Sequence, residues 1–167
     1  MGRAKERLSL KGRALQLLAQ RDQSRVELRA KLLRHAAAGA GARAGNDSGD
    51  GDGADDGEAR RTEVEALLDW LEANRYLSAE RFAESRVHAR EARFGNRRIR
   101  AELARHGVAV SPETARALAE SELQRAATVC ERRFAGPPAS AAERAARARF
   151  LAGRGFSPDV IQRLVRR

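Results

Sequence analysis

The chain has 167 residues, with 33 Lys and Arg against 23 Asp and Glu, a net charge of +10 and only 4% aromatic residues. Few aromatics and no alternating β-branched runs exclude a sheet protein with a large aromatic core, and the abundance of Arg, Ala and Leu points to an all-α fold. A single cysteine, Cys130, excludes an internal disulfide and fits a reducing compartment.

The segment 1–9 is a charged N-terminal tail without the apolar core of a signal peptide. No apolar run approaches the roughly 20 residues that span a bilayer. Both observations point to a cytoplasmic protein without a membrane role. A basic balance of this size calls for a polyanion or an acidic protein surface as partner.

Nine short helices are expected, in three groups of three at 10–77, 78–121 and 122–167. The first helix runs Leu10 to Arg21, with Leu10, Ala14, Leu17 and Leu18 on one face. Ser24 with Glu27 forms a capping box for a second helix ending near Arg34. Residues 36–59 then hold half of the chain's glycines, six acidic residues against one arginine, and no large apolar residue. They read as a disordered insertion. Thr62 with Glu65 opens a third helix across Val64, Leu67, Leu68 and Leu71.

Ser78 opens the second group, whose first helix carries Phe82, Ala83 and Val87 and breaks at Gly95-Asn96. The middle helix carries Ile99 and Leu103 and stops at Gly107, the glycine expected just past a helix end. Ser111-Pro112 opens its third helix. The third group starts near Glu122 and breaks at Gly136-Pro137-Pro138. Ser140 with Glu143 caps its middle helix, which ends in Gly153-Arg154-Gly155-Phe156. Ser157-Pro158 opens the last helix, with Val160, Ile161, Leu164 and Val165 inward.

One phrase repeats across the groups. Leu28-Arg29-Ala30-Lys31-Leu32 continues to Arg34-His35, and Ile99-Arg100-Ala101-Glu102-Leu103 continues to Arg105-His106. A weaker copy runs Ala146-Arg147-Ala148-Arg149-Phe150. Tandem repeats with soft joints stack into an elongated, curved body, which suits binding better than catalysis. Leu28, Leu32, Phe82, Ile99, Leu103, Gly107, Phe150 and Phe156 are the expected structural core of the repeats.

No metal or catalytic constellation emerges. His35 and His106 occupy equivalent positions near helix C-termini, where the dipole favours them. Cys130 lies on an apolar stripe and reads as a core residue. The glycines of the insertion lack a phosphate-loop ending. Basic clusters on the three middle helices carry the functional signal: Arg25, Arg29, Lys31 and Arg34; Arg97, Arg98, Arg100 and Arg105; Arg144, Arg147, Arg149 and Arg154. Three outward basic stripes could follow a phosphate backbone or an acidic groove.

The stretches Leu15 to Leu32, Tyr76 to Ala83, Gly95 to Gly107 and Ala148 to Ile161 make the chain resemble the RecX family of RecA regulators. The resemblance implies three tandem three-helix repeats. It also implies a non-enzymatic protein without cofactor that binds RecA and its filament on single-stranded DNA; a monomer with weak direct DNA binding is expected. Recombinase, ATPase and co-protease activities would fall, with effects on DNA repair and the SOS response. Arg98, Ile99, Glu102, Leu103, Gly107, Arg154, Gly155 and Phe156 match the family's motifs, and Arg98 and Arg154 are the best contact candidates among them. A general helical DNA-binding protein or repressor is the alternative. It would need base readout and usually a symmetric dimer.

Overall fold

A computed structural model describes residues 8–41 and 55–166. They form eight α-helices and no strand: α1 Leu10–Gln20, α2 Arg25–Gly41, α3 Asp55–Ala73, α4 Ala79–Glu91, α5 Asn96–Arg105, α6 Pro112–Glu131, α7 Ala141–Gly153 and α8 Pro158–Val165. The chain divides into two compact units, one up to Ala79 and one from Glu80 onward.

In the first unit α2 packs against α1 and α3. Ser9 caps α1 through its hydroxyl, and the Ser24 hydroxyl accepts from the Glu27 amide (3.1 Å) to start α2. The core is Ala14, Leu17, Leu28, Leu32, Val64, Leu68, Leu71 and Leu77. Two boundaries differ from expectation. Helix α2 runs to Gly41, because the alanines at 36–38 are strong helix formers and nothing before Gly41 stops them. Helix α3 starts at Asp55, where Asp55, Asp56 and Glu58 meet the positive end of the helix dipole. Residues 36–41 and 55–59 of the expected disordered insertion are therefore helical, and 42–54 lie outside the described residues. Thr62 is not a cap. It lies inside α3 and donates to the Glu58 carbonyl (3.1 Å).

In the second unit α4, α5 and the first half of α6 enclose Phe82, Ala83, Val87, Ile99, Leu103, Val108 and Leu118. The second half of α6, with α7 and α8, encloses Ala126, Val129, Cys130, Leu151, Phe156, Val160 and Ile161. Helix α6 thus serves two cores. The third helix of the second repeat continues into the first helix of the third repeat without a break, and residues 121 and 122 lie mid-helix. That accounts for eight helices among the described residues where nine were expected. No Pro or Gly interrupts 113–131, and Ser121 turns its hydroxyl back to the Ala117 carbonyl (2.8 Å) instead of capping a new helix.

Helices α5 and α7 end identically. Gly107 (φ 69) and Gly155 (φ 81) follow the last turn, and the amides of Val108 and Phe156 reach back to the carbonyls of Leu103 (3.1 Å) and Leu151 (3.2 Å). Each is a Schellman turn whose next apolar residue is buried, so the repeat extends to the hydrogen bonds of the caps.

Candidate binding surface

The expected stripe on α2 is largely engaged within the first unit. Arg25 reaches Glu65 (2.7 Å), Asp69 (2.8 Å) and Glu72 (2.7 Å) on α3, and Arg29 also pairs with Glu65. The Glu65 hydrogen bond holds the Arg25 guanidinium above its ordinary pKa. The Lys31 ammonium donates to Gln23 Oε1 (2.7 Å), and burial lowers its pKa. Arg34 is exposed and has no partner among the described residues. His35 lies well inside α2, not at its end, because the helix overruns Arg34. Its Nε2 sits 2.9 Å from the Leu8 carbonyl oxygen.

These pairs make a pH prediction. Hydrogen bonds from Arg25 and then Arg29 hold the Glu65 carboxylate below its ordinary pKa. A depressed carboxylate adds stability that is fully present above its unfolded value and lost as pH falls through the lower folded value. Glu65→Gln will therefore lower thermal stability at pH 7, modestly because the pair is solvent-screened, and flatten its further loss between about pH 5 and pH 3, so that variant and parent converge in acid. An acid slope equal to the parent's would show that this cluster does not stabilise the fold.

The second unit keeps its α5 arginines outward. Arg97, Arg98, Arg100 and Arg105 on α5 are exposed, as are Arg144 and Arg149 on α7. Arg147 and Arg154 are half-buried. Inward from α5, Glu102 receives Arg90 of α4 (3.1 Å), with Arg86 at 3.5 Å.

Guanidinium and phenyl groups alternate across this unit. Arg98 lies 4.2 Å from the Phe94 ring centre. Arg154 lies 5.8 Å from the same ring and 5.0 Å from Phe150. Phe150 meets Phe134 edge to face (5.4 Å), and Arg147 (5.2 Å) and Arg133 (5.4 Å) stack on Phe134. Beside this ladder a recess of about 260 Å³ is lined by Ala92, Arg93, Val129, Arg132, Arg133, Phe150 and Arg154. Arg93, Phe94, Arg132 and Arg133 were not singled out from the sequence. Their signal was legible, since Phe82, Phe94, Phe134 and Phe150 each follow an arginine. Phe82, Phe94 and Phe150 also have an arginine four residues on, one helical turn away.

The ladder stands on a fixed joint. The Gly95 amide donates to the Arg154 carbonyl (3.0 Å), and the Arg97 amide to the Gly155 carbonyl (3.0 Å). Buried Glu122 of α6 accepts from the Asn96 amide (3.0 Å), Asn96 Nδ2 (3.1 Å), the Ser157 amide (3.1 Å) and the Ser157 hydroxyl (2.9 Å). Arg125 donates to Asn96 Oδ1 (2.5 Å) and to the carbonyls of Glu91, Phe94 and Leu118. The second and third repeats therefore do not meet at a soft joint. Motif residues 95–98 and 154–157, distant in sequence, touch one another here.

Cys130 is buried in the third core, where desolvation raises its thiol pKa, so it is not poised as a nucleophile. Trp70 is partly covered, with the Lys11 ammonium 3.6 Å from its ring centre and Tyr76 stacked at 5.6 Å. No cluster of metal-ligating side chains occurs among the described residues, and none of their helices is long and apolar enough to cross a membrane.

Residues 80–111 match the family model of the second three-helix domain of RecX, and residues 119–165 that of the third. The chain is 44% identical to the regulatory protein RecX of Ralstonia nicotianae, over 99% of this chain and 91% of that protein. It is 46% identical to that of Herbaspirillum seropedicae, over 90% and 84%. The crystal structure of RecX from Lactobacillus salivarius superposes with a TM-score of 0.62 over 94% of this chain and 92% of that one, at 17% identity, a likeness of fold. The first matched domain ends just before α6 and the second takes in α6 from residue 119, so Asn96 of the joint lies in one and Glu122 and Ser157 in the other. The chain belongs to the RecX family of regulatory proteins.

Proposed function

We propose that this protein is a cytoplasmic, non-enzymatic inhibitor of the RecA recombinase that acts as a monomer on the RecA filament assembled on single-stranded DNA. Family membership supplies the regulatory role. The observation that carries the contact is the outward arginine row of α5, Arg97, Arg98, Arg100 and Arg105, presented on a unit whose joint is fixed by buried hydrogen bonds. A pre-set basic face loses little entropy on docking and steers toward a polyanionic filament. Arg25 and Arg29, tied to α3, act in folding, and the working surface is that of the second unit.

The test is single-stranded-DNA-dependent ATP hydrolysis by the cognate RecA while this protein is titrated in. Hydrolysis will fall near stoichiometric amounts. Arg98→Glu with Arg100→Glu will raise the amount needed for half-inhibition about tenfold while the helical circular dichroism is kept. Undiminished inhibition by the double variant would exclude this face as the contact. No inhibition by the parent, with selective binding to a duplex sequence, would favour a repressor instead.

A further inference from the structure

We propose that the recess between the C-terminal ends of α4, α6 and α7 is a phosphate site for single-stranded nucleic acid, with the adjoining arginine–phenylalanine ladder as its base-stacking edge. This rests on the reading above and deepens it, by assigning this part of the surface to the nucleic-acid component of the filament.

Charge is the first argument. Arg93, Arg132, Arg133 and Arg154 line the recess, and none of its lining residues is acidic. Three helix C-termini meet there, each worth roughly −0.5 charge, so about +2.5 remains of the four guanidinium charges. Capping does not consume these arginines. Among the described residues no oxygen accepts from the side chains of Arg93, Arg132 or Arg133, whereas Arg154 is held by the Arg93 carbonyl (3.2 Å). Three guanidiniums with unfilled donors and one fixed beside them, all lining one recess, suit a phosphodiester, which accepts several forked hydrogen bonds.

Stacking is the second. Arg98 is exposed yet laid against Phe94, so one guanidinium face is already packed while the side chain remains open to solvent. A guanidinium plane so presented takes an unpaired base, and duplex DNA has no free base face to offer. An acidic peptide would use the charges but not the plane. The recess offers no carboxylate and no amide side chain to read a base edge, so binding will be indifferent to sequence.

The experiment is fluorescence anisotropy of a labelled oligo-dT of about 15 nucleotides with the full chain and no RecA, across a salt series. Arg93→Gln with Arg132→Gln and Arg133→Gln will weaken binding about tenfold or more and reduce the salt slope by about 2, near 0.7 per lost phosphate contact. Arg98→Lys will weaken binding with the slope unchanged, since it keeps charge and loses the plane. Arg116→Gln with Arg163→Gln, exposed arginines outside the recess, will bind like the parent.

Parent-like affinity and slope in the triple variant would overturn the site, as would equal weakening by the Arg116 and Arg163 pair. Poly-glutamate that displaces the oligonucleotide from the parent at equal charge, and is itself no longer bound by the triple variant, would replace nucleic acid with an acidic protein segment. The two readings fail separately. A recess that binds oligo-dT as described, in a protein that leaves RecA hydrolysis unchanged, would keep the site and remove the RecA reading. Full inhibition of RecA with oligo-dT binding insensitive to the triple variant would do the reverse.

Discussion

Gly95→Ala will destabilise the second unit by about 3–5 kcal/mol, read as a lower urea midpoint by far-UV circular dichroism. Gly95 has φ −79, an ordinary value, so the cost is steric and not conformational. A Cβ there would fall far inside 3.0 Å of the Phe156 amide nitrogen and Cα and the Gly155 carbonyl oxygen. These are backbone atoms of the turn between α7 and α8, and no rotamer change can move them aside. The N-terminus of α5 would have to lift off that turn. Doing so breaks the Gly95–Arg154 and Arg97–Gly155 hydrogen bonds, worth about 1 kcal/mol net each, and adds the cost of overpacking. Gly153→Ala is the control, because it lies on α7 with nothing within 4 Å of the new carbon. It will be neutral or stabilising by up to about 1 kcal/mol. Equal midpoints for the two variants would mean that this approach of backbone to backbone is not needed for folding.

The same approach explains what could be read in advance and what could not. Helix starts at Ser24, Ser111 and Ser140 were legible because a cap is a local bond between residues three apart. The stops at Gly107 and Gly155 were legible because few residues other than glycine accept their φ. Sequence alone divides α6 near Glu122, whereas the helix runs unbroken from Pro112 to Glu131. Nothing local marks Glu122 as buried, since its donors come from Asn96 and Ser157, 26 and 35 residues away. The stripe on α2 fails for a related reason. Helical period shows which side of α2 faces away from Leu28 and Leu32, but not that Glu65, Asp69 and Glu72 stand opposite on the next helix. Where the neighbouring helix brings no such acids, as beside Arg97 and Arg100, the outward stripe survives. The ladder lay between these cases. Its Phe-to-Arg spacing of four is local, whereas the step from Phe94 to Arg154 needs the joint.

Glu122→Ala will cost about 4 kcal/mol or more, and Glu122→Gln less, about 1–3 kcal/mol. The carboxylate is 4% exposed and receives four hydrogen bonds, two from backbone amides at the starts of α5 and α8. Its negative charge faces the positive ends of both helices, so one side chain does the work of two caps. Ser157 shows the consequence. It precedes α8 as an N-cap serine, yet it makes no side-chain cap hydrogen bond and gives its hydroxyl to Glu122. Alanine would leave both amides and the Asn96 side chain short of an acceptor in a space closed to water, and each unfilled buried donor costs about 1–3 kcal/mol. Glutamine fills the space and can accept on one side. On the other it sets an NH2 against the Asn96 amide group and removes the charge that both dipoles favour. A cycle of Glu122→Ala with Ser157→Ala will be non-additive by about 1 kcal/mol or more, because the second change removes a donor already orphaned by the first. Since Asn96 begins the helix that carries Arg97 and Arg98, and Ser157 follows the turn that carries Arg154, loosening this carboxylate will also blunt oligo-dT binding with every recess arginine still present. Strict additivity, with oligo-dT affinity unchanged in the folded Glu122→Gln protein, would show that the ladder holds its geometry without this joint.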